Sequence, residues 1–64
     1  MADREVIFEF LQIGNSVKVT AFDPATLVEV SIVGPPTSNQ ASLRHAALRK
    51  LEYVLARKAA DKTR

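Results

Sequence analysis

The residues best suited to bind a charged partner lie in the segment LRKLEYVLARK, from Leu48 to Lys58. Arg49, Tyr53 and Arg57 are spaced four residues apart, so in a helix they are neighbours on one face. Basic side chains beside an aromatic ring can contact the phosphates of a nucleic acid. We call this candidate polyanion-binding set the basic ridge: Arg49, Lys50, Tyr53, Arg57 and Lys58.

The same pattern is also typical of the solvated face of a surface helix. Lys and Arg are good helix formers, and cations near the C-terminus of a helix interact favourably with its macrodipole. The sequence also offers no row of aromatic residues on which bases could stack. We therefore favour the solvated face, and nucleic-acid binding by the basic ridge remains the alternative.

Side chains with catalytic potential are few and poorly placed. The chain has no Cys and a single His, His45, which has no carboxylate partner nearby on its helix. Glu9 and Glu29 are predicted to share one row of a sheet, roughly 9–10 Å apart, but on an open face. The segment IVGPPTSNQ lacks the Gly spacing and the Lys of a phosphate loop. We expect no enzymatic activity, metal, cofactor or small-molecule substrate.

Length and composition favour one small globular domain that spans residues 1–64. With 47% hydrophobic and 25% charged residues, the composition is far from that of a disordered chain. Charge is distributed unevenly along the chain. Residues 1–39 contain two Lys or Arg and five Asp or Glu, whereas residues 40–64 contain seven Lys or Arg and two Asp or Glu. The N-terminus does not resemble a signal peptide and no run is long enough to span a membrane, so a cytoplasmic protein is expected.

Period-2 patterning in the first half predicts three antiparallel strands. EVIFEFLQI and SVKVTAF alternate apolar and polar residues on either side of Gly14-Asn15, a two-residue hairpin signal. DPAT is typical of a type I turn, and LVEVSIV follows it as the third strand. The predicted strands cover about residues 5–13, 16–22 and 27–33.

The hydrophobic pattern also predicts how the strands pair. In the first hairpin the loop places Phe10 beside Val19. In the second hairpin we expect Val30 opposite Val19, with Phe22 facing Leu27 across a four-residue loop.

A helix from about residue 38 to residue 60 completes the fold. Gly34-Pro35-Pro36 ends the third strand, and Thr37 with Gln40 has the spacing of a capping box, with Ser38 and Asn39 as alternative caps. An apolar stripe then recurs at helical spacing. Its residues are Leu43, Ala47, Leu48, Leu51, Val54 and Leu55. The predicted fold is α+β, a three-stranded antiparallel meander with one C-terminal helix packed on one face (βββα).

The sheet face away from the helix is predicted to be unusually apolar, because one helix can cover only one face. We call its apolar side chains the outer patch. They are Ile7, Leu11, Ile13, Phe22, Leu27 and Val33. One interpretation is that a small protein simply exposes some apolar surface. We favour the other, in which the outer patch binds a protein partner or a second copy, by face-to-face packing or by addition of an edge strand to another sheet.

Nearly the whole chain resembles a set of short bacterial proteins, chiefly alphaproteobacterial, known only as a domain of unknown function. The resemblance lies in EVIFEFLQIGNSVKVTAFDPATLVEVSIVGP followed by ALRKLEYVL. It implies no activity. It does imply Gly at the position of Leu27, where this chain departs from the pattern.

The βββα order is similar to a double-stranded-RNA-binding domain without its first helix, and to small three-stranded DNA-binding domains of some integrases. The RNA-binding family carries a lysine cluster at the start of its last helix. Here the corresponding segment, SNQASLRHAA, has only Arg44 as a basic residue. The similarity is therefore one of topology and does not extend to the motif.

Overall fold

The computed structural model describes residues 5–62, with side chains described up to residue 59. Three strands precede one helix: β1 (Ile7–Ile13), β2 (Ser16–Asp23), β3 (Val28–Gly34) and α1 (Gln40–Lys62). The strands form one antiparallel sheet in the order β1-β2-β3, and α1 packs on β2 and β3. The predicted α+β fold, a three-stranded meander followed by a helix, is confirmed.

The first hairpin has the predicted register. Phe10 lies opposite Val19, and the pair Ile13–Ser16 closes the two-residue loop. Gly14 has φ +57°, in the left-handed region that Gly adopts at little cost. A Gly at the first loop position with positive φ is the type II′ arrangement, whose twist matches that of the two strands.

The second hairpin is shifted by two residues from the predicted register. Val30 lies opposite Ala21, not Val19, and Phe22 faces Glu29, not Leu27. The loop still contains four residues, but it runs from residue 24 to residue 27, and Asp23–Val28 is the closing pair. Because the side-chain period of a strand is two, this shift keeps every side chain that remains in a strand on its predicted face, and Leu27 moves from the predicted strand into the loop.

Asp23 sets the position of that loop. Its backbone oxygen accepts hydrogen bonds from the N–H groups of Thr26 (3.3 Å) and Leu27 (2.7 Å). Its carboxylate accepts the N–H of Ala25 at 3.1 Å and the hydroxyl of Thr26 at 3.0 Å. The side chain is only 2% exposed, so the loop organises itself around a buried carboxylate. Leu27 completes the loop with φ +64°.

The helix covers the middle and one edge of the inner sheet face. The fully packed core is small and comes from β2 and α1: Val19, Ala21, Leu43, Ala47 and Leu51. Phe8 and Phe10 of β1 pack against this core but stay half-buried. The helix is therefore offset toward β3, and the inner side of β1 is only partly covered.

Asn39 is the N-cap of α1, since its side-chain oxygen accepts the N–H groups of Ala41 at 2.7 Å and Ser42 at 3.4 Å. The expected capping box of Thr37 and Gln40 is therefore wrong, and the alternative cap at Asn39 is correct. The helix begins at Gln40, two residues later than expected, because the cap is Asn39 and not Thr37.

Leu27→Gly should stabilise the fold, because a non-Gly residue at positive φ is strained. We expect the free energy of unfolding to rise by about 0.5–1 kcal/mol, which is the relief of left-handed strain less the extra chain entropy of Gly. Urea unfolding followed by circular dichroism measures it. Leu27→Ala is the matched control: it removes the same side chain but keeps the strain, so a gain equal to that of Gly would contradict this account.

Gly34→Ala should destabilise the fold, because a Cβ at this position would lie 2.6 Å from Cδ2 of Leu43. Leu43 is buried, so overpacking should cost about 1–3 kcal/mol. A double-mutant cycle with Leu43→Val, which lacks the clashing methyl, isolates the contact. In that background the cost of Gly34→Ala should shrink; an unchanged cost would mean that the Leu43 contact is not its origin.

Candidate functional site

The outer patch is exposed as a set. Five of its six residues are large apolar side chains open to solvent: Ile7, Leu11, Ile13, Leu27 and Val33. Leu27 is 75% and Val33 68% exposed, while Phe22 is half-buried between its neighbours. Within the part of the chain whose side chains are described, Tyr53 is the one other large apolar side chain with this degree of exposure.

The observed register groups the outer patch into two clusters at opposite ends of the sheet. At one end Ile7 and Phe22 lie in a row with Glu29. At the other end Leu11 and Val33 lie on either side of Lys18. Each apolar cluster therefore carries one charge, and the two charges have opposite signs.

The predicted pairing of Phe22 with Leu27 would have placed Leu27 in one row with Ile7 and Phe22, and this pairing is wrong. The two-residue shift moves Glu29 into that row and places Leu27 in the loop beyond it. The predicted register would also have placed Val33 opposite Ser16, in the row of Ile13, whereas Val33 pairs with Lys18. The strand residues of the outer patch keep their face, because an even shift preserves it, and Leu27 is exposed in the loop next to them.

The carboxylates that could have formed an acid–base pair are out of register. Glu9 shares its row with Thr20 and Ser31, whereas Glu29 lies in the row of Phe22. The predicted row that joined Glu9 to Glu29 is therefore wrong. Among the residues that the structure describes, no three His, Cys, Asp or Glu side chains come together as a potential metal site.

The basic ridge is exposed along its length, but only part of it forms one surface. Arg57 donates a hydrogen bond to the Tyr53 hydroxyl at 3.0 Å, and its guanidinium carbon lies 5.7 Å from the ring centroid. Arg49 lies one turn before Tyr53 and is exposed. Between residues 5 and 59, no carboxylate forms an ion pair with Arg49 or Arg57. These two arginines and Tyr53 are the part of the ridge that could meet an anion.

Two lysines of the ridge point elsewhere. Lys50 crosses to the edge of the sheet, where its ammonium donates to the backbone oxygen of Ser31 at 2.9 Å. Lys58 lies with Thr26 and Leu55 around an open depression of about 370 Å³ beside the β2–β3 loop. The five residues therefore do not all lie on one surface, because the long lysine side chains follow the tertiary contacts at their own positions, and polyanion binding by them stays a prediction.

Arg44 is a surface residue whose contact the sequence pattern did not single out. Its guanidinium carbon lies 5.8 Å from the centroid of the Phe8 ring, so it bridges α1 and β1 by a cation–π contact. The signal was present in the spacing, since Arg44 precedes Ala47 and Leu48 by three and four residues and so faces the sheet. Arg44 partly covers the inner side of β1, which the helix itself does not reach.

Helix α1 carries too many charged and polar residues to cross a bilayer, and no described helix is both long and apolar enough to do so.

One family model matches the chain over residues 3–58, and its description is a domain of unknown function, DUF6898. No curated protein and no solved structure matches the chain. The resemblance to a domain of unknown function is therefore confirmed. The bacterial setting and the topological similarity to double-stranded-RNA-binding domains stay predictions.

Proposed function

Because the chain belongs to the DUF6898 family, whose function is unknown, we propose from its own surface that it is a non-enzymatic protein-interaction module. In this proposal the outer patch is the docking surface for a protein partner. The carrying observation is that four of its large apolar side chains, those of Ile7, Leu11, Ile13 and Val33, are exposed on the outer face of the sheet, and that of Leu27 is exposed in the adjoining loop. The buried core, in contrast, contains five residues, two of them Ala.

The size and composition of the outer patch support this role. Exposed apolar clusters with a polar surround are characteristic of protein interfaces, whereas single exposed apolar side chains need no explanation. Here two clusters are separated by the polar row of Glu9, Thr20 and Ser31. Lys18 and Glu29 add one charge of each sign, which would orient a partner and exclude like-charged alternatives.

The arrangement of the acidic residues supports a binding role more than a catalytic one. Glu9 and Glu29 lie in different rows of an open sheet face, so neither is placed to share a proton or a substrate atom with the other. His45 is exposed on the helix. The buried carboxylate of Asp23 is committed to the β2–β3 loop through Ala25 and Thr26.

Site-specific photo-crosslinking in cells tests the docking surface. We expect a photo-reactive phenylalanine analogue at Val33 to give an adduct of defined mass, and the same group at Ala46, exposed on the helix, to give none. Leu11→Glu should reduce the Val33 adduct by about tenfold or more, because a carboxylate buried in an apolar contact needs to cost only ~1.4 kcal/mol to have that effect.

Ala56→Glu is the matched control for Leu11→Glu, since it adds the same charge at an exposed position on the other side of the molecule. Circular dichroism verifies that both variants fold. Equal adducts from Val33 and Ala46, or an adduct that survives Leu11→Glu, would show that the outer patch is not the docking surface.

The second candidate function is nucleic-acid binding by Arg49, Tyr53 and Arg57. What favours it is that both guanidinium groups are exposed and no described carboxylate neutralises them, while the ring of Tyr53 lies between them on the helix. Such a surface would contact phosphates along one strand and bind with little sequence preference. It is smaller than the full basic ridge, because Lys50 and Lys58 are directed elsewhere.

An amide chemical-shift titration with short duplex RNA and DNA tests this candidate. Saturable shifts are expected near Arg49, Tyr53 and Arg57 that weaken as salt is raised. Arg49→Gln with Arg57→Gln should lower the salt slope by about two, one per lost phosphate contact. Lys58→Gln removes one charge from the other side of the helix and should have no such effect. If Lys58→Gln weakens binding as much as one arginine does, the attraction is nonspecific and the candidate is rejected.

A further inference from the structure

The sheet has two free edges, and the backbone groups on each can be identified. In the first hairpin Ile13 and Ser16 close a two-residue loop as a hydrogen-bonded pair. By alternation, Phe8, Phe10 and Gln12 turn their N–H and C=O groups away from β2, toward the free edge of β1. The same alternation across β2 directs those of Glu29, Ser31 and Val33 toward the free edge of β3.

The edge of β3 is protected. The Lys50 ammonium donates to Ser31 at the centre of that edge, and a lysine laid along an edge strand opposes the approach of another strand. Pro35 and Pro36 follow the strand directly and limit its extension. The hydrogen bond to Ser31 also confirms the orientation of the backbone derived from the register.

The edge of β1 has none of these devices. Across residues 5–62, no side chain or backbone group bonds to the outward N–H and C=O groups of Phe8, Phe10 and Gln12. The strand contains seven residues paired without a bulge, and it has neither Pro nor Lys. An unprotected edge of this length is a template for an added strand.

The side chains of β1 are also incompletely covered on both faces. On the outer face Ile7, Leu11 and Ile13 are exposed, and on the inner face Phe8 and Phe10 are half-buried because the helix lies over β2 and β3. A strand added at this edge would therefore bury apolar surface as well as pair backbone groups.

We propose that β1 pairs antiparallel with β1 of a second copy of this chain, so that two three-stranded sheets become one six-stranded sheet. A two-fold axis would pass beside Phe10, which would lie opposite Phe10 of the second copy. This contact is closed, because the same edge is used by both copies, and it leaves the two Lys50-protected edges as the ends of the sheet.

Charge and strand length together select this register from those that the outward backbone groups allow. With Phe10 opposite its own copy, Glu9 faces Leu11 of the second copy, Ile7 faces Ile13, and all seven residues of β1 are paired. Sliding the strands by two residues in one direction puts Glu9 directly opposite Glu9, which is destabilising. Sliding them in the other direction leaves Ile7 and Phe8 without strand partners.

This inference deepens the proposed function, on which it rests for the use of the outer patch. In the six-stranded sheet the outer patches of the two copies become one continuous surface, twice as long as that of a monomer. The added contact is one strand wide and so falls below a standard interface of about 1,200 Å². We therefore expect weak association and take a dissociation constant on the order of 100 µM as the working value.

Sedimentation velocity across a concentration series, extending to about 1 mM, tests the dimer on the full chain. Gln12→Pro removes an outward N–H and projects a ring from the edge without removing a bond to β2, so it should leave a monomer. Gln12→Val is the matched control, since it changes the same side chain and keeps the N–H, and should remain dimeric. A wild-type monomer throughout, or a dimer that persists in Gln12→Pro, would overturn the proposal.

Amide hydrogen exchange on the wild-type protein tests the β1 contact without any substitution that could alter folding. At about 1 mM, with a dissociation constant near ~100 µM, about a fifth of the chains are monomers, so exchange at Phe8, Phe10 and Gln12 should slow about fivefold relative to dilute protein. The amides of Glu29, Ser31 and Val33 on the other edge are the internal control and should not change. Equal slowing on both edges, or none on β1, refutes the β1 contact.

Val33→Glu separates this inference from the proposed function. It places a charge in the outer patch far from β1, so the β1 dimer should persist, while crosslinking to a partner from a photo-reactive group at Leu27, which lies outside β1, should be lost. A dimer that Val33→Glu breaks and Gln12→Pro does not would be held by face-to-face packing, which overturns the β1 contact and leaves the docking role of the outer patch in place.

Discussion

The close approach of Leu43 to Gly34 sets the position of the helix on the sheet. At this point the first turns of α1 lie against the end of β3, and a Cβ at Gly34 would be 2.6 Å from the Leu43 side chain. The helix then runs over β3 and β2 and does not reach across β1. Its offset explains three features together: the small core, the half-buried aromatic residues of β1 and the contact of Lys50 with the edge of β3.

The fold was accessible from the sequence because its main determinants are local. Alternation of apolar residues identifies the strands, and Gly14-Asn15 fixes the first hairpin, since a two-residue loop leaves one register. The second hairpin was ambiguous, because registers that differ by two residues give the same faces. The side-chain and backbone hydrogen bonds of Asp23 determine which of these registers forms, because they place the loop one residue closer to the C-terminus than predicted.

The difference between local and tertiary determinants also explains which candidate functional residues could be predicted from the sequence. The outer patch follows from alternation alone, so an error of register changed its rows but not its members. The basic ridge depends on where long side chains extend, and this depends on the tertiary structure. Lys50 reaches a backbone oxygen in β3, nineteen positions away in sequence, and no local pattern encodes such a contact.

Leu27 is the outer-patch residue that folding explains least. Ile7, Ile13 and Val33 are β-branched residues of the patch. They favour strand conformation, so their strand propensity accounts for their positions. Leu27 lies outside the strands at φ +64°, where a side chain is strained, and 75% of it is exposed. Its N–H donates to the Asp23 backbone oxygen at 2.7 Å, which explains the backbone conformation, but its side chain still carries a conformational cost and a solvation cost at one position. Local rules are broken in this way mainly at sites that act on something outside the fold. The loop tip at Leu27 is therefore where a partner on the outer patch would make a contact that the fold itself does not use.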